Sequence, residues 1–186
     1  FLADQGSGQG YDLRRRGTLE TPLNASKGCG AVMRAAPIGL MLNEENQNLK
    51  RESVCLTAAK AAAITHGHPF AWLSSALFAE IIHRMTYRRP ADPTLERLIA
   101  NAVYQVEQEF RGVKELTDFI ALMEKAMELS ADGGAKTGEC LAKLGKGVTA
   151  ESTLAVSIYL ALHYQNDYFT AVHAAVNQSG DSDTAG

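Results

Sequence analysis

Along most of this chain apolar residues recur every three or four positions, and no segment sustains the alternation that marks a strand. The clearest stripe is Phe70, Leu73, Leu77, Ile81 and Met85, which predicts a helix from about Pro69 to Tyr87. Leu116, Ile120, Met123 and Met127 mark a second stripe. Leu154, Ile158 and Leu162 mark a third, with Thr149 placed as its N-cap. The run RESVCLTAAKAAAITH predicts another helix, with Gly67 as its C-terminal stop. Pro69 then falls in the first turn of the next helix, where its missing N–H costs nothing. Asp92-Pro93 reads as a cap-plus-proline start for a helix reaching about Phe110, and a last helix is expected from about Tyr168 to Asn177. Pro37 should kink or split the apolar segment AVMRAAPIGLML, and AKTGECLAKLGKG reads as broken by its glycines. The opening stretch up to Gly30, rich in Gly, Ser and charge, predicts loop. There is no internal repeat or long linker, so residues 1–186 read as one all-α domain, with no sheet beyond two short strands.

Composition sharpens this picture. The hydrophobic fraction is 46% of 186 residues, weighted to alanine and leucine rather than β-branched residues, and that bias favours helix. Net charge is −3, with a pI near 6.0, so no nucleic-acid footprint is present. An anionic ligand would need local positive charge from a metal, a helix N-terminus or a few basic side chains. The three cysteines, Cys29, Cys55 and Cys140, are odd in number and form no CxxC, which argues against a disulfide framework or zinc cluster and for a reducing cytoplasm. No apolar run reaches membrane-spanning length and no signal peptide opens the chain, so no membrane partner is expected. The first residue is Phe1, and the chain is expected to begin inside a longer protein.

Two segments carry chemistry. In Asn177–Gly186 the run Gly180-Asp181-Ser182-Asp183-Thr184 holds two carboxylates two residues apart. On a helix these would point in nearly opposite directions. In an extended turn after Gly180 they would face one side, with the Thr184 hydroxyl beside them. Such an oxygen-only set suits Mg²⁺, Mn²⁺ or Ca²⁺ rather than zinc, and further ligands must come from elsewhere. A solvated Asx-type turn capping a helix is the competing reading. The second segment is Asn24–Pro37, where Gly28, Cys29 and Gly30 let backbone approach a ligand closely and a following helix would offer N–H groups to an anion. Met33 stands where a dinucleotide-binding fingerprint needs its third glycine, and no strand precedes it. A tight turn alone also accounts for these glycines. His66 and His68 flank Gly67 before Pro69, as a hinge between helices or as a ligand contact. Trp72 and the methionines, at helical spacing, read as core. Arg14, Arg15 and Arg16 read as a solvated run, and Cys29 has no base partner in sequence that would make it a nucleophile.

Taken in order and spacing, SKGCGAVMRAAPIGL, THGHPFAWLSSALFAEII, LGKGVTAESTLAVSIYLALHY and AVNQSGDSDTAG resemble the ADP-ribosylglycohydrolase family, over about Thr21 to Gly186. The resemblance implies a compact all-α domain around a two-magnesium site, with Mn²⁺ as a possible substitute. It implies hydrolysis of the glycosidic bond between ADP-ribose and an acceptor, either a protein side chain or a small molecule. Asp181, Asp183 and Thr184 match the family's metal-binding motif, the two carboxylates also being its catalytic candidates. Lys27, Gly28, Cys29, Gly30 and Met33 match the loop around the ADP-ribose pyrophosphate and ribose, and His66 matches a histidine near the substrate. Arg34 belongs to the motif, as a ligand contact or as a brace of the loop. The family also includes lens crystallins, so a non-catalytic ADP-ribose binder or a structural member of the fold is the alternative. An upstream Gly-Asp…Glu segment and a Thr-Asp-Asp cluster, which complete the family's metal site, do not precede Asn24; the Arg16-Gly17 junction is short, and the family usually continues past Gly186. The chain is therefore expected to be a partial domain and, by itself, inactive.

Overall fold

The computed structural model describes residues 16–41, 52–87, 94–132, 136–145, 147–178, 180 and 182–186. Among these, the helical signals are realised as nine α-helices. They are α1 (Ala36–Met41), α2 (Val54–Ala63), α3 (Pro69–Thr86), α4 (Leu95–Glu109) and α5 (Leu116–Ala131), followed by α6 (Thr137–Leu144), α7 (Ala150–His163), α8 (Tyr168–Val176) and α9 (Ser182–Ala185). A 3-10 turn at Cys29–Arg34 precedes α1, so the segment around Pro37 is split, as its proline predicts. The described residues contain no strand, only an isolated antiparallel bridge between Gly28 and Thr149.

Helix α3 is the hub, packing on α1, α2, α4, α5 and α7. Pro69 sits in its first turn, and His68 caps it by accepting the Phe70 N–H on Nδ1 at 3.1 Å. The expected stripe is only part of what it buries. Leu73, Leu77 and Ile81 are inside, but so are Ala71, Trp72, Ala76 and Ala79 on other faces, whereas Met85 is 48% exposed near the helix end. Alanines make this possible: Ala58, Ala59, Ala62 and Ala63 of α2 are buried, and small side chains let α2 lie close to α3. On α1, Gly39 serves the same purpose, since a methyl there would come within 2.4 Å of the Ala79 carbonyl oxygen. The buried hydroxyls of Ser74 and Ser75 donate back to the Phe70 and Ala71 carbonyls, at 2.6 and 3.0 Å. Buried Glu80 is matched by Arg84, whose Nε donates to Oε1 at 2.7 Å, and by the Cys55 thiol at 3.6 Å. Burial, and then that carboxylate, push the Cys55 thiol well above its usual range.

Several elements depart from the sequence reading. Helix α2 ends at Ala63 with Ile64 as its C-cap, so Gly67 is not its stop. Helix α4 is capped by Thr94, whose hydroxyl accepts the Arg97 N–H at 3.4 Å; Asp92 and Pro93 lie outside the described residues. Helix α6 forms despite Gly138, because burial of Cys140, Leu141 and Leu144 outweighs the roughly 1 kcal/mol that a mid-helix glycine costs. Of the methionines read as core, Met123 is buried, but Met33 and Met41 are 57% and 59% exposed. The C-terminal Ser182–Ala185 segment is one helical turn rather than extended, because it docks on α7 and α8, where the Ser157 hydroxyl reaches the Ala185 carbonyl at 3.5 Å. Asp181 lies outside the described residues, as do Arg14 and Arg15; Arg16 is exposed. No helix among the described residues is long and apolar enough to cross a membrane.

Candidate active site

Asn24 ties the glycine segment to the turn between α2 and α3. Its Oδ1 accepts the N–H groups of Ser26 and Gly67 at 2.9 and 3.1 Å, and its Nδ2 donates to the Thr65 carbonyl at 3.0 Å. The His68 N–H adds a bond to the Ser26 carbonyl at 3.2 Å. On the other side, the Ala150 N–H at the start of α7 donates to the Lys27 carbonyl at 2.9 Å, beside the Gly28–Thr149 bridge. The turn is thus held on one flank by the backbone of the α2–α3 turn and on the other by the start of α7. After Gly28 the chain makes a six-residue 3-10 turn, not the α-helix N-terminus expected as a source of free N–H groups.

Lys27 stays exposed to solvent but reaches across to α7. Its ammonium lies 3.6 Å from Glu151 Oε1 and 5.7 Å from the centre of the Phe70 ring. Glu151 is buried on α7, and its second oxygen, Oε2, has no hydrogen-bond partner among the described residues.

Arg34 is a brace. It donates to the last carbonyls of α2, Ala61 at 3.1 Å and Ala62 at 3.4 Å, and to the Thr65 hydroxyl. Thr65 Oγ1 in turn lies 2.8 Å from His66 Nδ1. The opposite edge of the His66 ring faces the glycines: a methyl on Gly28 would sit 3.5 Å from Nε2, and one on Gly30 3.7 Å from the same atom. Burial, and then the positive charge of Arg34, hold the His66 pKa below the ordinary imidazole value.

The C-terminal turn meets this loop directly. Thr184 Oγ1 lies 3.5 Å from Cys29 Sγ and donates to Met33 Sδ at 3.7 Å, joining positions more than 150 residues apart. Asp183, Thr184 and Met33 share a cavity of about 380 Å³, with Val32, Phe78 and Ser157 among its other walls. Asp183 is exposed to it and Thr184 is half-buried. The donors are hard oxygens, and the Thr184 proton points to a sulfur, which leaves oxygen lone pairs outward. That chemistry fits a hard divalent cation, although no three acidic, histidine or cysteine side chains converge on one point among the described residues.

Of the sequence candidates, the fold therefore gathers Gly28, Cys29, Gly30, Met33, His66, Asp183 and Thr184 into one region, while Lys27 is engaged by Glu151. Asn24, Thr65, Phe70 and Glu151 carry supporting roles that the sequence did not reveal, because their partners are remote in the chain; Asn24 and Thr65, for example, are 41 residues apart. The family model described as ADP-ribosylglycohydrolase matches residues 3–186. No curated protein and no solved structure matches the chain. The family points to ADP-ribosyl glycohydrolase activity in general, and to ADP-ribosylated substrates as a class. With all but its first two residues inside the match, and a helical fold throughout the described residues, the chain belongs to the ADP-ribosylglycohydrolase family.

Proposed function

We propose that the cavity lined by Met33, Asp183 and Thr184, together with the glycine turn that leads into it, binds ADP-ribose joined to an acceptor, and that the protein hydrolyses the glycosidic bond between them. The observation that supports this reading is the contact of Thr184 with Cys29 and Met33, which brings together two of the segments that carry the family resemblance. In this reading Gly28 and Gly30 leave room for the pyrophosphate to lie against backbone, and His66 faces it from the α2–α3 turn. Met33, Val32 and Phe78 give the cavity an apolar wall that limits bulk water around the reacting bond. Asp181, Asp183 and Thr184 would hold the magnesium ions, with manganese as a substitute. Bound there, the ions would orient the ribose hydroxyls and a water and would offset the negative charge of the pyrophosphate on an acidic protein. In this reading the carboxylate of Asp183 or Asp181 would take a proton from the attacking water as positive charge builds on the ribose carbon. The cytoplasm fits a chain whose three cysteines form no disulfide with one another.

The test is release of ADP-ribose from an ADP-ribosylated peptide by the full-length protein, with and without Mg²⁺. Release that requires the metal is the expected result. Tight ADP-ribose binding with no release under any metal would instead assign the protein to the non-catalytic binders of the fold, and absence of both would overturn the reading.

A further inference from the structure

The Thr65 hydroxyl stands between two groups whose proton inventories are unequal. Arginine carries only donors, so its contact with Thr65 is an N–H directed at Oγ1. The hydroxyl has one proton of its own, and the ring nitrogen beside it is His66 Nδ1, at 2.8 Å. With the Thr65 proton on that line, Nδ1 must be the unprotonated nitrogen. A neutral imidazole then carries its proton on Nε2, the atom that lies against Gly28 and Gly30. The opposite tautomer would set two donors on Thr65 Oγ1 and turn its own proton away from the one nitrogen in reach.

The frame that holds this chain of bonds is rigid. The N–H groups of Thr65 and His66 both donate to the Ala62 carbonyl, at 3.2 and 3.0 Å, and Asn24 Nδ2 holds the Thr65 carbonyl. The same Arg34 Nη2 that meets Thr65 also reaches the Ala61 and Ala62 carbonyls, sharing its two protons among the three acceptors, and none of these contacts involves His66.

We propose that Arg34 and Thr65 are positioning residues that lock His66 as a neutral imidazole with its Nε2–H aimed across the glycine turn, ready to donate to an oxygen of bound ADP-ribose. The ligand in this statement rests on the proposed function, whereas the proton assignment rests on the hydrogen-bond chain alone. A second proton on the ring is opposed by burial and by Arg34. Without the relay the ring could flip or exchange tautomers, and the turn would face an acceptor nitrogen that repels phosphate oxygen.

Ring-nitrogen NMR of His66, read together with an ADP-ribose titration, tests the proposal in the wild type, Thr65→Val and Thr65→Ser. In the unliganded wild type at neutral pH, Nδ1 should be bare and Nε2 protonated. Thr65→Val keeps the shape and leaves Arg34 its two carbonyl acceptors; it should mix the tautomers and weaken ADP-ribose binding about tenfold, the worth of one oriented hydrogen bond. Thr65→Ser should restore both. A wild-type ring protonated on Nδ1, or a Thr65→Val ring with unchanged nitrogen shifts, overturns the relay. The wild-type spectrum decides the assignment even if the valine variant fails to fold. Should the wild type bind no ADP-ribose, the functional reading falls while the nitrogen shifts still decide the relay.

Discussion

Gly67→Ala should cost about 3 kcal/mol of stability, near the upper end of what single substitutions usually do. A methyl group on Gly67 would be built 2.0 Å from the Asn24 carbonyl oxygen and 2.6 Å from Pro22 Cβ. The oxygen belongs to backbone, so no side-chain rotation relieves the clash, and the stretch of loop from Pro22 to Ser26 must move away. Its movement strains the bonds that Asn24 makes to Gly67, Ser26 and Thr65 and the bond from His68 to Ser26. Each buried group left unpaired adds to the loss. Thermal unfolding reads the effect as a fall of about 6–12 °C, at the sensitivity usual for a chain of this size. Because the same loop leads into Gly28 and Gly30, ADP-ribose affinity should fall with it. An alanine variant that melts with the wild type would show that the loop is not packed on Gly67.

Asp183→Ala should have the opposite signature, with the fold intact and turnover lost. The carboxylate is exposed at the cavity, so its removal should change stability by no more than about 0.5 kcal/mol. Substitutions in the outer shell of a metal site already cost about 10- to 100-fold, so loss of a proposed ligand should cost at least about 100-fold in turnover. The measurement is ADP-ribose release by the full-length protein at matched Mg²⁺, with Asp183→Asn alongside to separate charge from shape. The asparagine variant should be nearly as impaired, because an amide neither activates water nor compensates a cation. Turnover close to wild type in the alanine variant would remove Asp183 from the chemistry.

The parts of this fold that were legible in the sequence are those set by one helix face. Leu73, Leu77 and Ile81 on α3, Leu116, Ile120 and Met123 on α5, and Leu154, Ile158 and Leu162 on α7 are all buried as their spacing requires. Helix α6 was not legible, because it is short, carries Gly138, and is held by burial of Cys140, Leu141 and Leu144 in the shared core rather than by propensity. Gly67 was legible as important but not for its reason: a helix stop and a close backbone approach both select glycine, and the approaching atom comes from Asn24. Arg34 is undecidable from sequence for the same cause, since the Ala61, Ala62 and Thr65 groups it braces become neighbours only when the chain turns back. The two chemical segments were recognisable by their residues. Their meeting through Cys29 and Thr184 is a property of how α3 and α7 pack, with the 3-10 turn lodged against both and α9 against α7. The helical form of α9 likewise comes from docking, which local residue types in Ser182–Ala185 do not announce.

A titration read residue by residue shows whether these two segments form one ADP-ribose site. With ADP-ribose added to the full-length protein in the presence of Mg²⁺, backbone amide NMR shifts should move together at Gly28, Cys29 and Gly30, at His66, and at Asp183 and Thr184, along one binding curve. Amides on the far side of α5 and α6 should stay in place. Shifts confined to one of the two segments, or clustered on another face of the protein, would contradict a shared site.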